Sequence, residues 1–264
     1  MKKNMVTMFG LMTAFLGCTA CSTDDGNEIP VPENNNKTVS EAEQTEYRPA
    51  EPTENQVFQI QMTTPVPSDY FKAATQQGVV ELLTYKSRDY TGSMAETDKP
   101  AYVYLPYGYN PEQQYDIIYL LHGWTGVAQE YFLGRGGNSR TGLVNIFDNL
   151  IQNGDCKPFI AVSPTWDKDN QSKGWSESTQ EAAVFAQEYV NDLIPAVESH
   201  YSTYCEDFTK EGIKASRKHR AIGGFSLGSI TFSYHQKEGG KHDFNAVWEF
   251  CYHALQFFFE PDVK

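Results

Sequence analysis

The sequence predicts an α/β domain with a mainly parallel sheet flanked by helices, and three observations carry that expectation. Apolar, β-rich runs recur along the chain and alternate with stretches of helical period. Two of these runs, over 115–121 and 159–164, are almost continuously apolar, as strands buried on both faces must be. With 264 residues, 40% of them hydrophobic, the chain can bury one well-formed core and still carry flanking segments.

The strand at 78–85 follows from alternation and β-branched content, and the one at 99–106 from the same pattern closed by the turn Pro106-Tyr107-Gly108-Tyr109. The run over 115–121 ends in His122-Gly123-Trp124-Thr125-Gly126, and the run over 159–164 likewise leads into a turn. Between them, residues 143–151 place apolar side chains at helical spacing. A long amphipathic helix is expected over 181–201, its stripe formed by Phe185, Tyr189, Val190, Leu193, Ile194 and Val197. No internal repeat is present.

Ahead of this domain the composition changes twice. Lys2 and Lys3 precede an apolar run over 5–16 that is too short to span a bilayer, the pattern of an export signal. Small residues then lead into Cys18, an arrangement that resembles a bacterial lipoprotein signal. Cys18 fits the lipidated position better than Cys21, which would have a cysteine three residues before it. Residues 1–21 are therefore read as a lipoprotein signal, with an ordinary cleaved secretory peptide as the alternative. Either reading places the protein outside the cytoplasm, as a cell-surface lipoprotein or a secreted protein.

Residues 22–56 hold nine acids against two bases, a net of −7, with prolines and asparagines and few apolar side chains. Such a segment cannot bury a core and reads as a disordered acidic linker. It accounts for more than half of the chain's formal charge of −13, a balance that argues against nucleic acid as a partner. The folded domain is expected over 57–264.

The chemistry concentrates at Arg220-Ala221-Ile222-Gly223-Gly224-Phe225-Ser226-Leu227-Gly228. Gly224 to Gly228 spells G-x-S-x-G, in which a serine stands exposed on a sharp strand-to-helix turn and the flanking glycines make room for it. Ser226 is the expected nucleophile, and the backbone N–H of Leu227 the first oxyanion donor. The loop after the strand at 115–121 would supply the second, from the N–H of Trp124. Trp166, Trp175 and Tyr131 follow strands on the same side, where aromatic rings could stack on a sugar or an aromatic acyl group; Trp124 could also wall an acyl pocket. The bland alternative for each is a core or surface aromatic.

Several motifs occur in the order found in one family. They are Ala101-Tyr102-Val103-Tyr104-Leu105-Pro106, the loop over 119–126, Val162-Ser163-Pro164-Thr165, Asn191-Asp192-Leu193-Ile194-Pro195, and the elbow itself. From about Gly78 to Ser229 the chain resembles bacterial esterases of the esterase-D-like group, the feruloyl and acetylxylan esterases of carbohydrate esterase family 1. The resemblance implies an α/β-hydrolase fold and a serine esterase that acts through an acyl-enzyme on feruloyl or acetyl groups of plant cell-wall polysaccharide. It implies no cofactor, an acylated polysaccharide or oligosaccharide as partner, and a membrane only through the lipid anchor. The alternatives are a catalytically inactive, carbohydrate-binding relative or truncated product, and a serine peptidase of the same superfamily.

The pattern breaks after the elbow. The family order is serine, acid, histidine, and the 38 residues after Ser226 cannot hold an elbow helix and two further strand–helix units. The resemblance ends near Thr231, and the tail over 248–259 reads as aromatic-rich without a clear period. The domain is thus expected to lack its last strands, with a truncated or frame-shifted end after about 230. His242, His253, Asp243, Glu249 and Asp262 are present, while His200 and His219 precede the elbow strand; none matches the family's acid or base. Cys156, Cys205 and Cys251 are an odd number without metal-ligand spacing, so no metal site is expected.

Overall fold

The structure, a computed structural model, describes residues 5–11, 65–171, 173–229, 231–238 and 244–259. Cys18, Cys21, the acidic linker over 22–56, His242, Asp243 and Asp262 lie outside the described residues. Among the described residues seven strands are formed: β1 (Met5–Leu11), β2 (Val79–Arg88), β3 (Glu96–Leu105), β4 (Asp116–Leu121), β5 (Phe159–Pro164), β6 (Arg220–Gly224) and β7 (Thr231–Glu238). Five of them make one sheet in the order β2-β3-β5-β4-β6. β2 and β3 form an antiparallel hairpin, β3 joins β5 antiparallel, and β4 runs parallel to both β5 and β6. The described sheet is therefore mixed, and its parallel half carries the elbow.

β4 shows why its run had to be apolar throughout. Ile118 and Leu120 point into one core with Phe132, Phe147 and Phe159; Ile117, Tyr119 and Leu121 point into a second with Phe185, Leu193 and Val197. Side chains alternate across a strand, so a sheet covered on both faces needs apolar residues at both parities. The first face is covered by α1 (Glu130–Leu133) and α2 (Gly142–Asn153), which buries Leu143, Val144, Ile146, Phe147 and Leu150. α2 stops at Gly154, whose φ of +76° provides a left-handed cap.

The second face is covered by α3 (Trp175–Glu188), a π-turn (Tyr189–Leu193) and α4 (Ile194–His200), followed by the short α5 (Lys210–Ala215). The sequence predicts one helix over 181–201; the structure interrupts it where Pro195 cannot donate to the preceding turn, and the π-turn absorbs the missing bond.

Two features of the C-terminal part correct the sequence reading. After a single 3-10 turn (Ser226–Ser229) the chain does not continue as an elbow helix but enters β7, paired antiparallel with β1. The alternating run Thr231-Phe232-Ser233-Tyr234 favours a strand over a helix. The aromatic tail does have a period: α6 (Phe244–Phe258) buries Val247, Cys251, Ala254 and Leu255, a stripe of helical spacing that continues to Phe259. This stripe joins the core of α2, and Phe259 stacks on Phe159 at 4.9 Å. Leu255 is fully buried there, so Leu255→Ala is expected to cost about 2–5 kcal/mol in a denaturant titration. A value under about 0.5 kcal/mol would remove α6 from the core.

Cys156, Cys205 and Cys251 are all free and buried. No helix among the described residues is long and apolar enough to cross a membrane.

Candidate active site

The pairing of β6 with β4 decides where chemistry can occur. The two strands run parallel with Leu121 opposite Gly224, so the loop after β4 and the turn after β6 leave the sheet side by side. Reactive groups gather at such C-terminal strand ends because the backbone there is released from the ladder. The Phe225 N–H still donates to the Leu121 carbonyl at 3.0 Å, and the Gly228 N–H closes the turn on the Phe225 carbonyl at 3.0 Å.

Within this turn Ser226 has a φ of +54°. A non-glycine residue in the left-handed region is uncommon and costs energy, and such residues gather at functional sites. The neighbouring Gly228 is required for a different reason. A Cβ there would stand 2.4 Å from both the Leu121 and His122 carbonyl oxygens, so only glycine lets the turn close on β4. As the second residue of its 3-10 turn, Leu227 has a backbone N–H with no partner inside the turn.

Facing Ser226 is the loop that begins at His122. A Cβ on Gly123 would lie 3.3 Å from the Ser226 Cβ, which puts this loop against that serine. The Gly123 carbonyl accepts hydrogen bonds from the Gly126 N–H at 3.0 Å and the His122 ring at 2.9 Å. Among the described residues no hydrogen bond uses the Trp124 N–H.

The aromatic residues divide. Trp124 and Trp175 are 43% and 55% exposed and meet edge to face at 5.3 Å, with the Trp124 indole N–H donating to the Lys173 carbonyl at 3.0 Å. They form an aromatic corner open to solvent beside the elbow. Trp166, expected in the same role, is buried beneath the loop instead. Its indole N–H donates to the His122 carbonyl at 2.9 Å and its ring lies 4.9 Å from the His122 ring. Tyr131 is likewise buried, with its hydroxyl donating to the Leu121 carbonyl at 3.1 Å. Both shape the loop from behind and present no free face. The loop after β5 is locked to the loop after β4 as well, because the Asn170 side chain accepts the Ala128 N–H at 2.8 Å.

His122 is the histidine that this geometry brings to the site and that sequence reasoning did not single out as a side chain. Burial pushes its pKa down to about 4, so the imidazole is neutral. His219 precedes β6 and bonds Asp116 at the start of β4, at 2.7 Å. Six residues, five of them in β6, separate it from Ser226, a span of about 20 Å. His200 ends α4 and contacts Tyr201, beside the Ser202 carbonyl that accepts from the Tyr115 N–H, also at the start of β4. His253 lies on α6, its ring 5.0 Å from Tyr252, which packs on Tyr70. None of these is assigned as general base.

A G-x-S-x-G turn at the end of a parallel strand, beside the loop that leaves the neighbouring strand, is the arrangement of an α/β-hydrolase fold. The chain belongs to the Esterase family, described as Putative esterase, whose profile matches residues 92–231. It is 35% identical over 208 residues to endo-1,4-beta-xylanase Y of Acetivibrio thermocellus, covering 79% of this chain and 16% of that protein. It is 31% identical over 165 residues to an endo-1,4-beta-xylanase/feruloyl esterase of Xylanibacter ruminicola, covering 61% of this chain and 20% of that one. Among solved structures, a mutant feruloyl esterase module from Clostridium thermocellum complexed with sinapinate matches at a TM-score of 0.51 and 39% identity, over 62% of this chain and 51% of that one. The chain thus spans a small part of its curated relatives and about half of the solved module.

Proposed function

We propose that the protein is a serine esterase that removes feruloyl or acetyl groups from plant cell-wall polysaccharide. The observation that carries this reading is Ser226 at a φ of +54°, against the Gly123–Trp124 loop, in a chain of the Esterase family. The similarity to feruloyl esterases supports the substrate class.

The hydroxyl of Ser226 attacks the ester carbonyl, the Leu227 and Trp124 N–H groups hold the developing oxyanion, and the alcohol leaves. Water then hydrolyses the acyl-enzyme. The corner of Trp124 and Trp175 offers stacking faces to an aromatic acyl group or a sugar. Because a polymeric substrate cannot enter a cell, the reading includes export, with Cys18 as the lipidated residue that tethers the domain through the acidic linker; removal of the signal ahead of Cys18 would take β1 with it and leave β7 without that pairing.

The test is hydrolysis of methyl ferulate, an acetylated xylo-oligosaccharide and a peptide ester by the full chain beside Ser226→Ala. Turnover of the first two, lost in the variant, supports the reading. Preference for the peptide ester would favour the peptidase. Binding of the oligosaccharide without turnover would favour an inactive relative, a second reading suggested by β7 standing where an elbow helix is expected.

A further inference from the structure

Behind the oxyanion loop lies a group of buried polar side chains that the esterase reading leaves unexplained. Asp167 is fully buried, and neither of its carboxyl oxygens makes a well-formed hydrogen bond among the described residues, with the carboxyl of Glu181 as its hydrogen-bonding neighbour. Leaving a buried polar group unsatisfied is costly, so its retention calls for a reason. Its Oδ2 lies 3.9 Å from His122 Nε2.

The partners of His122 define its tautomer. A carbonyl can only accept, so the 2.9 Å contact with Gly123 puts the proton on Nδ1. Nε2 then accepts the Thr165 hydroxyl at 2.8 Å, and Thr165 Oγ1 in turn accepts the Asp167 backbone N–H at 3.1 Å. The Gly123–Trp124 peptide is trans, so the Trp124 N–H is antiparallel to the Gly123 carbonyl within one plane. Two donors on that carbonyl therefore aim the Trp124 N–H away from the imidazole.

We propose that His122, in the Nδ1–H tautomer selected by Thr165, is a positioning residue for the oxyanion peptide Gly123–Trp124, and that Asp167 must stand beside it as a neutral carboxylic acid. The proposal rests on the esterase reading only for what the aimed N–H does. An ionised Asp167 would favour a proton on Nε2. Moving the Nδ1 proton there would remove the donor from the Gly123 carbonyl and turn the Thr165 hydroxyl from donor to acceptor.

The surroundings keep Asp167 protonated. Burial acts first, and the like charge of Glu181 on α3, hydrogen bonding to that same carboxylate and the charge of Asp169 on the same loop add to it. Against them stand Lys173, whose ammonium lies 2.6 Å from Glu181 and 3.1 Å from Asp169, and the buried Lys99 of β3, paired with Glu188 at 2.7 Å. Arg135 and Lys99 also disfavour a charged His122. The balance holds the Asp167 carboxyl up at about 7.

The experiment is ¹⁵N NMR of the histidine rings in the full chain, with His122 identified among the six histidines by its loss in His122→Gln. The expected result is a neutral Nδ1–H pattern at about pH 6, moving toward Nε2–H above about pH 7 in the native protein but not in Asp167→Asn. Thr165→Val should mix the tautomers and shift the Trp124 amide resonance. The sign for stability follows: with a native value raised above about 3.9, the native protein loses stability as pH rises from about 4 to about 7 relative to Asp167→Asn.

In turnover, His122→Gln and Thr165→Val should lower kcat about tenfold or more at little changed KM, with Asp167→Asn retaining activity. An Nε2–H tautomer at pH 6, an unmoved Trp124 amide in Thr165→Val, or loss of the pattern in Asp167→Asn would overturn the proposal. The NMR result is independent of turnover. The expected tautomers in a chain without hydrolysis would sustain the positioning network and fail the esterase reading alone.

Discussion

Ser226→Gly is expected to make the protein more stable and to abolish its ester hydrolysis. At a φ of +54° the serine occupies a region that costs an L-residue about 1–2 kcal/mol and costs glycine nothing. For a domain of this size that corresponds to a rise in melting temperature of about 2–4 °C per kcal/mol. Hydrolysis should fall by about 10³-fold or more, because the attacking hydroxyl is gone. Ser226→Ala separates the two effects: it removes the hydroxyl and keeps the strain, so it should lose activity without the gain in stability. Thermal melts of the three proteins beside hydrolysis of methyl ferulate check this. A glycine variant that melts below the native protein would mean that the elbow holds no strain.

Gly228→Val is expected to be the most damaging single change in the elbow. Its Cβ would sit 2.4 Å from two backbone oxygens, those of Leu121 and His122, and backbone atoms at the end of a central strand cannot step aside. The elbow would have to withdraw from β4, opening the Phe225-to-Leu121 hydrogen bond and moving the Leu227 N–H off the oxyanion position. A loss of about 3 kcal/mol or more, together with loss of activity, is expected by denaturant titration. Gly174→Ala is the control: that glycine has a φ of −61° and open space around it, and its replacement should stay within about 0.5 kcal/mol. Equal effects of the two changes would contradict the close approach.

Much of this was readable in the residues, for reasons that can be named. β4 and β5 are buried on both faces, so their sequences are apolar without interruption and bounded by turns. The elbow was readable because strained backbone and close approach restrict residue types, as the positive φ of Ser226 and the space left only for Gly228 show. What could not be read depends on distant partners. Trp166 follows a strand as an exposed ligand-binding aromatic would, and its burial depends on distant partners: the second core, with Phe185, and the His122 carbonyl that accepts its indole N–H. The π-turn before Pro195 keeps the apolar stripe intact, so periodicity alone saw one helix. In α6 the stripe runs through small and aliphatic residues, Val247, Cys251, Ala254 and Leu255, while Trp248, Phe250 and Tyr252 between them blur the period. The role of His122 needed Thr165, 43 residues away, to define its tautomer.

The most direct measurement of the central claim is the mass of the protein quenched in acid during turnover of an activated feruloyl ester, followed by peptide mapping. The account predicts one feruloyl group per chain, carried on Ser226 and absent from Ser226→Ala. No adduct on native, folded protein, or an adduct on another residue that persists in the variant, would contradict it.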